Sequence, residues 1–276
     1  MYFLKVNWAP SKTLFEIGGF GLHIYSLMFV IAFALGYRMM QRMFRKEGVD
    51  EKYLDPYLAY MVIATLIGAR LGEVIFYSWE YYQNHLIEIF LPIRETSTGG
   101  YEFVGFRGLA SHGAVIGILS GMYLFQRKYK FKPFLWILDR LAVVVALAGF
   151  FIRVGNFFNS EIVGNYTGTN FGVVFQNRGE VLPRHPAQLY EAVGYLILFF
   201  ILRNLYQSPK KDKPGFLLGL FFAGIFGIRF IVEFVKASQG GFEKYLPGLS
   251  TGQWLSIPLV ALGLFLAFRP TPSLEK

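Results

Sequence analysis

Long apolar runs alternate with short charged segments along the whole chain. A helix needs about 20 mainly apolar residues to cross a bilayer, and we find seven candidate spans, at about 22–41, 56–77, 108–126, 134–152, 188–206, 215–235 and 253–269. The pattern predicts an all-α polytopic membrane protein with seven transmembrane helices. No internal repeat or linker is evident, so we expect one domain over residues 1–276.

The composition supports a membrane protein. Of the 276 residues, 54% are hydrophobic and 16% are charged, against roughly 25% charged residues in soluble domains. The first ten residues lack the basic and then apolar pattern of a signal peptide, so we expect the first span to direct insertion. The chain has no cysteine, which excludes disulfides, cysteine-bound metals and a thiol nucleophile of its own.

The positive charge follows the predicted topology. The net charge is +9, but the basic residues lie between apolar runs, which favours contact with anionic lipid and no nucleic acid partner. The connections after the first, third and fifth spans carry Arg42, Arg45, Lys46 and Lys52, then Arg127, Lys128, Lys130 and Lys132, then Arg203, Lys210, Lys211 and Lys213. The positive-inside rule therefore places the N-terminus outside and the C-terminus in the cytoplasm.

Two long connections lie on the predicted outer side, at 78–107 and 153–187. They are too long for plain loops. Within 160–183, turn signals such as Gly164-Asn165 and Arg178-Gly179 surround the short apolar stretch Phe171–Phe175. We expect a small extracytoplasmic subdomain with short strands there.

A polar cluster follows the apolar run at 134–152. It contains Arg153, Asn156, Asn159 and Glu161. An arginine at the bilayer centre costs roughly 2.5–3.5 kcal/mol on insertion scales, so charged groups near membrane depth usually face a protein interior or a watery cavity. We interpret the cluster as the main functional site, at the outer face.

Two other spans contain pairs of opposite charge. Arg70 and Glu73 share a helix face near the end of the second span and can pair, and a structural role and a substrate-binding role are about equally compatible with that pattern. The small residues around Arg70, at positions 68, 69 and 72, permit close approach of another helix. Arg229 precedes Glu233 by one helical turn in the sixth span. This order pairs less well on a helix, so contact between Arg229 and a ligand stays open.

His112 lies at the start of the third span, in Ser111-His112-Gly113. An isolated histidine in a glycine-rich helix is more often a packing residue. Its predicted position on the same outer face as Arg153 favours proton transfer instead, because histidine exchanges protons near neutral pH.

The arginines at membrane depth indicate an anionic ligand. The guanidinium groups of Arg70, Arg153 and Arg229 suit bidentate binding of phosphate. With asparagine donors and one histidine, they predict a site for a phosphate-bearing lipid that undergoes acid–base chemistry. Neither paired carboxylates nor histidines occur at the usual ligand spacing, so we predict no metal and no other cofactor.

Several motifs along nearly the whole chain resemble those of the bacterial prolipoprotein diacylglyceryl transferases. The string from Arg153 to Glu161, with asparagines at positions 156 and 159, is the most specific of them. The others are Tyr25-Ser-Leu-Met, Gly68-Ala-Arg70-Leu-Gly72, Ser111-His112-Gly113, Arg184-His185-Pro186-Ala-Gln188-Leu-Tyr190-Glu191, Arg229-Phe-Ile-Val-Glu233-Phe and Gly252-Gln253-Trp-Leu-Ser256-Ile-Pro258.

The resemblance implies a seven-span enzyme of the bacterial inner membrane. Such an enzyme moves the diacylglyceryl group of phosphatidylglycerol to the lipobox cysteine of a prolipoprotein signal peptide and releases glycerol phosphate. Its implied catalytic residues here are Arg153 and Arg229 as phosphate contacts and His112 as the base for the thiol. Its implied substrate-binding residues are Tyr25, Arg70, Asn156, Asn159, Glu161, Gly164 and Glu233.

Two positions depart from the family pattern. Ile152 stands before Arg153, where glycine is common, and Ile225 stands four residues before Arg229, where many members have tyrosine. Neither change removes a charge from the proposed site. A transporter or channel for an anionic solute is a second interpretation, but it predicts inverted repeats or broken helices, and we find neither. A structural scaffold held by interhelical polar contacts is a third.

Overall fold

The computed structural model describes residues 5–17, 20–76, 78–91, 93–96, 99–103, 110–238 and 248–270. The chain is mostly helical and divides into two compact units. The first unit combines Met1–Met43 with Leu138–Lys276, and the second is Phe44–Ile137.

The longer helices follow the predicted spans. They are α1 (Ile24–Lys46), α2 (Leu54–Phe76), α5 (Ser111–Tyr129), α6 (Phe134–Phe158), α7 (Ala187–Tyr206), α8 (Phe216–Val232) and α9 (Thr251–Phe268). Between α2 and α5 lie the one-turn helices α3 (Trp79–Tyr82) and α4 (Ile87–Phe90). Short 3₁₀ turns occupy Glu51–Tyr53, Gln176–Arg178 and Pro209–Asp212.

Within the described ranges, five helical segments are long and apolar enough to cross a membrane. They are Ile24–Lys46, Glu51–Phe76, Phe134–Phe158, Ala187–Tyr206 and Thr251–Phe268. The spans predicted at 215–235 and 108–126 coincide with the 17-residue apolar helix α8 and the 19-residue helix α5, which are not among the five. The chain is therefore a multi-pass membrane protein, with five of the seven predicted spans supported directly.

In the second unit, small residues bring α2 and α5 into close contact. A Cβ added to Gly68 would lie 2.7 Å from the Cα of Gly117, and one added to Gly72 would lie 2.6 Å from the Cα of Gly113. Such small-residue contacts are typical of packed membrane helices. The close approach expected from the small residues around Arg70 is confirmed.

In the first unit, a buried carboxylate on α6 caps the start of α8. The two carboxylate oxygens of Asp139 accept hydrogen bonds from the backbone N–H groups of Gly215 and Leu218, at 2.8 and 2.9 Å. The neighbouring Arg140 donates to the carbonyl of Lys211 at 3.2 Å. The two charges near the start of this apolar helix thus hold helix ends in place.

The described residues form three two-stranded sheets in addition to the helices. Strand β1 (Lys5–Trp8) pairs in parallel with β6 (Gly172–Phe175), while β2 (Thr13–Ile17) with β3 (Phe20–His23), and β4 (Ile93–Glu95) with β5 (Tyr101–Phe103), form antiparallel pairs. The expectation of a short strand within 160–183 is confirmed by β6. Its partner β1 comes from the N-terminal segment, which the sequence did not indicate.

A small apolar core lies beneath β6. Phe157, Val163, Val173 and Phe175 form it, and Trp8 packs against it. The indole N–H of Trp8 also donates to the carbonyl of Phe157 at 3.1 Å. This core anchors the end of α6, where the polar cluster lies.

Candidate active site

The last turns of α6 carry the start of the polar cluster. The helix continues beyond Ile152 to Phe158, so Arg153 and Asn156 are helical and face each other three residues apart. The guanidinium Nη1 of Arg153 donates to Asn156 Oδ1 at 2.9 Å, and Asn156 Nδ2 donates to Glu161 Oε1 at 2.6 Å. Asn156 is only 3% exposed, and the two hydrogen bonds of its side chain hold the charged groups of Arg153 and Glu161 in place.

The turn that presents Glu161 has an unusual backbone. Ser160 and Ile162, on either side of it, have φ angles of 55° and 58°. A β-branched residue such as isoleucine rarely adopts this region, and such strain is concentrated at functional sites. Gln188 holds the turn by donating from Nε2 to the carbonyl of Glu161 at 2.6 Å.

Tyr25 on α1 joins the cluster through a glycine on α6. Its hydroxyl hydrogen-bonds with Asn156 and lies in electrostatic range of Arg153 and Glu161. A Cβ added to Gly155 would lie 2.8 Å from the Cδ2 of the Tyr25 ring. Glycine is therefore needed at position 155, because a larger residue would clash with the Tyr25 ring.

A buried ion network extends from Arg153. Its Nε lies 2.5 Å from Glu191 Oε2, and the Nζ of Lys236 lies 4.0 Å from Glu191 Oε1 and 3.1 Å from Glu233 Oε2. Glu191 and Lys236 are 0% and 5% exposed. Sequence reasoning did not choose either residue. The carboxylate of Glu191 inside an apolar span was a usable signal, because a buried charge requires a partner. Lys236, just after a span, gave none.

Arg229 on α8 lies beside the same network. The hydroxyl of Tyr195 on α7 hydrogen-bonds with Arg153 and lies in electrostatic range of Arg229 and Glu191. The Nε of Arg229 is buried and makes no hydrogen bond within the described part of the chain. A buried donor without a partner is unusual and needs an explanation, which a bound anion would supply.

Two glycines make room for the outer part of the network. A Cβ added to Gly164 would lie 2.5 Å from the carbonyl oxygen of His185, and one on Gly252 would lie 2.5 Å from Glu233 Cδ. The N–H of Gly164 donates to His185 O at 2.9 Å, and its backbone forms a bridge with Lys236. Gly164 and Glu233 therefore shape the site through the backbone and the ion network.

The remaining predicted residues have these positions. Asn159 follows the end of α6, and its N–H donates to the carbonyl of Gly155 at 3.0 Å. Arg70 and His112 belong to the second unit. His112 is the second residue of α5, and its side chain lies outside the described part of the structure.

Arg70 has well-defined partners in its own unit. It is 8% exposed, and its Nε and Nη2 donate to the carbonyl oxygens of Ile89 and Glu88 at 3.0 and 2.5 Å. Its guanidinium carbon lies 4.8 Å from the centre of the Tyr82 ring. Glu73 accepts a hydrogen bond from Ser78 at 3.0 Å. These contacts favour the structural role of Arg70, which holds the segment around α4.

One group of side chains in the second unit has the composition of a metal site. The possible ligand atoms of His85, Glu88 and Glu95 lie within 4.8 Å of one another. Glu88 already accepts hydrogen bonds from the Tyr81 hydroxyl and the Glu95 N–H, both at 2.8 Å, and the Nδ1 of His85 lies 2.9 Å from the Tyr81 carbonyl. Sequence spacing did not predict this grouping. The hydrogen bonds of these side chains connect α3, α4 and the β4–β5 hairpin, which explains why they lie close together.

Acidic residues balance the cations of the polar cluster in the first unit. Sequence reasoning counted arginines only, whereas the structure places Arg153, Arg229 and Lys236 in one network with Glu161, Glu191 and Glu233. Buried charges persist when they are paired in this way. The fold and the cluster define a multi-pass membrane protein with an ionic network in which the buried Nε of Arg229 has no partner among the described residues.

Comparison with known proteins identifies the family. The profile described as prolipoprotein diacylglyceryl transferase matches residues 12–269, and the chain belongs to this family. A protein of Tolumonas auensis is 44% identical over 259 residues, covering 94% of this chain and 95% of that protein. One of Bacteroides fragilis is 41% identical over 266 residues, covering 96% and 95%. Both carry the name phosphatidylglycerol–prolipoprotein diacylglyceryl transferase.

Proposed function

We propose that this protein is an enzyme that transfers the diacylglyceryl group of phosphatidylglycerol to the lipobox cysteine of prolipoproteins. The products are a thioether-linked lipid and glycerol phosphate, and the reaction is the first step of lipoprotein maturation. The observation that carries the proposal is the pair of arginines near Tyr195: Arg153 hydrogen-bonds with its hydroxyl, Arg229 lies in electrostatic range of it, and the buried Nε of Arg229 has no partner among the described residues. The chain is similar to proteins of that name.

The arginines assist the departure of the phosphate. The cysteine sulfur forms a bond to the terminal glyceryl carbon, the bond from that carbon to the phosphate oxygen breaks, and its electron pair leaves with glycerol phosphate. Negative charge develops on the phosphate as this bond breaks. Preorganised cations in a site of low dielectric stabilise such charge strongly, and Arg153 and Arg229 take this role.

His112 activates the thiol. A cysteine has an unperturbed pKa of about 8.5 and reacts as the thiolate, so a neutral histidine that accepts its proton raises the reactive fraction. This assignment depends on the family resemblance and on the chemistry of histidine.

The other residues shape the headgroup site. Asn156 and Glu161 form one wall through their hydrogen-bonded chain to Arg153, and Tyr25 contacts lipid beside them. Asn159, Gly164, Glu233 and Arg70 complete the set of substrate-binding residues that the family resemblance implies.

We propose seven spans in the bacterial inner membrane, with the N-terminus outside and the C-terminus in the cytoplasm. Helices α5 and α8 are the two spans beyond the five supported by length and composition. The distribution of lysine and arginine supports this orientation. It places the Arg153 cluster and the subdomain around β6 at the outer face, where exported prolipoproteins arrive.

A transfer assay tests the proposal. The full-length protein is purified into nanodiscs that contain phosphatidylglycerol and mixed with a lipobox peptide, and the mass of the peptide is followed. We expect the added mass of one diacylglyceryl group and the appearance of glycerol phosphate. No modified peptide with the wild-type protein, or equal transfer when phosphatidylethanolamine is the only lipid, contradicts the proposal.

A further inference from the structure

One acidic side chain connects three segments of the ionic site. Glu191 on α7 contacts Arg153 near the end of α6 through Oε2 and Lys236, beyond α8, through Oε1. Its carboxylate is fully buried. Removal of either cation would therefore leave a buried negative charge that is only partly compensated, at a large cost in free energy.

Glu191 limits how Arg153 can be oriented. The guanidinium is planar, and two of its nitrogens are held, Nε by Glu191 and Nη1 by Asn156. A planar group held at two nitrogens cannot rotate without losing one contact. The direction of its remaining N–H groups therefore depends on both partners.

Glu191 also limits the position of Lys236. The ammonium group lies between the carboxylates of Glu191 and Glu233 and lines a 330 Å³ cavity together with Glu233, Ser238, Gly248, Leu249 and Ser250. Removing the charge of Glu191 would leave the network with three cations and two carboxylates, so the cations would repel each other and move.

We propose that Glu191 is a positioning residue for the transfer reaction. Its two oxygens hold Arg153 and Lys236 so that the guanidinium of Arg153, which also hydrogen-bonds with Tyr195, faces the phosphate of the lipid headgroup. This inference rests on the proposed function. A positioning role differs from a structural one because activity then depends on the orientation of Arg153 even when the fold is fully stable.

Four variants separate the two roles: Glu191→Gln, Glu191→Asp, Lys236→Met and the double variant Glu191→Gln/Lys236→Met. Each is assayed as full-length protein in nanodiscs that contain phosphatidylglycerol, with a lipobox peptide. Thermal unfolding is measured on the same samples. Asp139→Asn is the matched control, because Asp139 is an equally buried carboxylate that contacts backbone N–H groups.

We expect Glu191→Gln to lower kcat/KM about 100-fold, the order expected when a catalytic group is misplaced by about 1 Å. Glu191→Asp keeps the charge and loses about 10-fold. The double variant has balanced charges again, so its unfolding temperature returns toward that of the wild type. Its kcat/KM stays within threefold of the value for Glu191→Gln, because Arg153 is still not held at Nε.

Two results overturn the positioning role. One is a kcat/KM for Glu191→Gln, or for Glu191→Asp if the glutamine variant does not fold, within threefold of the wild-type value. The other is recovery of activity together with stability in the double variant, which would assign Glu191 to the fold alone. Transfer by the wild-type protein is measured first, so failure of the proposed function is recognised separately.

Discussion

The charged side chains near the two ends of α6 have different kinds of partners. Near its start, Asp139 is 0% exposed and accepts hydrogen bonds from the N–H groups of Gly215 and Leu218. Near its end, Arg153 contacts the side chains of Asn156 and Glu191. The charge at one end is compensated by backbone donors at the start of another helix, and the charge at the other end by one side chain of α6 itself and one of α7.

The difference distinguishes a structural charge from a functional one. The first turn of a helix has unsatisfied N–H groups that a carboxylate can cap, so Asp139 completes the α8 terminus. At the other end, Arg229 Nε has no partner within the described ranges. A buried donor without a partner needs an explanation, and the phosphate of the proposed lipid substrate supplies one for Arg229.

Replacement of Arg229 should have the largest effect on activity. Arg229→Gln removes a cation from the departing phosphate, and we expect kcat/KM for lipid transfer to fall about 1,000-fold, at the upper end of the effect of one such donor. Arg229→Lys keeps the charge but loses the planar fork and should recover only part of the loss. Transfer to the lipobox peptide measures both variants. Wild-type activity in Arg229→Gln would remove Arg229 from the site.

Asp139→Asn should lower the stability of the protein and leave its activity nearly unchanged. The amide accepts less strongly than the carboxylate and leaves buried N–H groups of α8 poorly satisfied, so we expect a loss of about 1–3 kcal/mol. Thermal unfolding in nanodiscs measures it. The kcat of the folded fraction should stay within twofold of the wild-type value. A large fall in kcat without loss of stability would show that the two ends of α6 do not differ as described.

Gly155→Ala should lower both stability and activity, with a smaller loss of activity than Arg229→Gln. The new methyl group would meet the Tyr25 ring, and such overpacking costs about 1–3 kcal/mol. Because Tyr25 contacts Asn156, we expect about 10-fold lower kcat/KM, the order of a small misplacement of the site.

Gly227→Ala on α8 is the matched control, since a Cβ there would meet nothing within 4 Å. Unfolding and transfer assays should show little change in that variant. Equal losses in the two glycine variants would contradict the explanation by contact with Tyr25.

The smallest effect concerns an ion pair outside the spans. Glu180 lies 2.9 Å from Arg184 and accepts a hydrogen bond from Tyr166 at 2.5 Å. Partial burial alone would raise the pKa of Glu180, but the hydrogen bonds from Tyr166 and Arg184 and the charges of Arg184 and Arg178 lower it below the usual value of 4.5.

A carboxyl group with a lowered pKa in the folded state adds stability above its unfolded pKa and loses it as the pH falls through the folded value. Glu180→Gln should therefore lower stability by at most about 1 kcal/mol at pH 7. The difference from wild type should disappear at strongly acidic pH. Unfolding measured as a function of pH tests this, and a difference independent of pH would contradict it.

Local sequence patterns predicted a large part of the molecule. Apolar length indicated the helices because a bilayer requires it. Arg153, Asn156 and Glu161 are close along the chain, so the sequence indicated that they belong to one polar cluster. The structure joins them by hydrogen bonds. The small residues around Arg70 likewise indicated close approach of another helix, which the structure identifies as α5.

Contacts between distant segments could not be predicted in this way. Glu191 and Lys236 are far from Arg153 along the chain, and their convergence depends on how α6, α7 and α8 pack. The parallel pairing of β1 with β6 joins segments that are far apart in the sequence, so local patterns did not indicate it either. The count of cations alone also suggested an excess of positive charge, which the acidic partners balance.

The sequence by itself determined the membrane-spanning character, the family and the residue types of the site, because these depend on composition, periodicity and local motifs. The tertiary structure decided which charges meet. In the folded protein, Asp139 caps α8 and Glu191 lies between two cations. Arg229 Nε has no partner among the described residues. Pairing inside a membrane protein depends on distances of a few ångströms between helices, and no single segment specifies such distances.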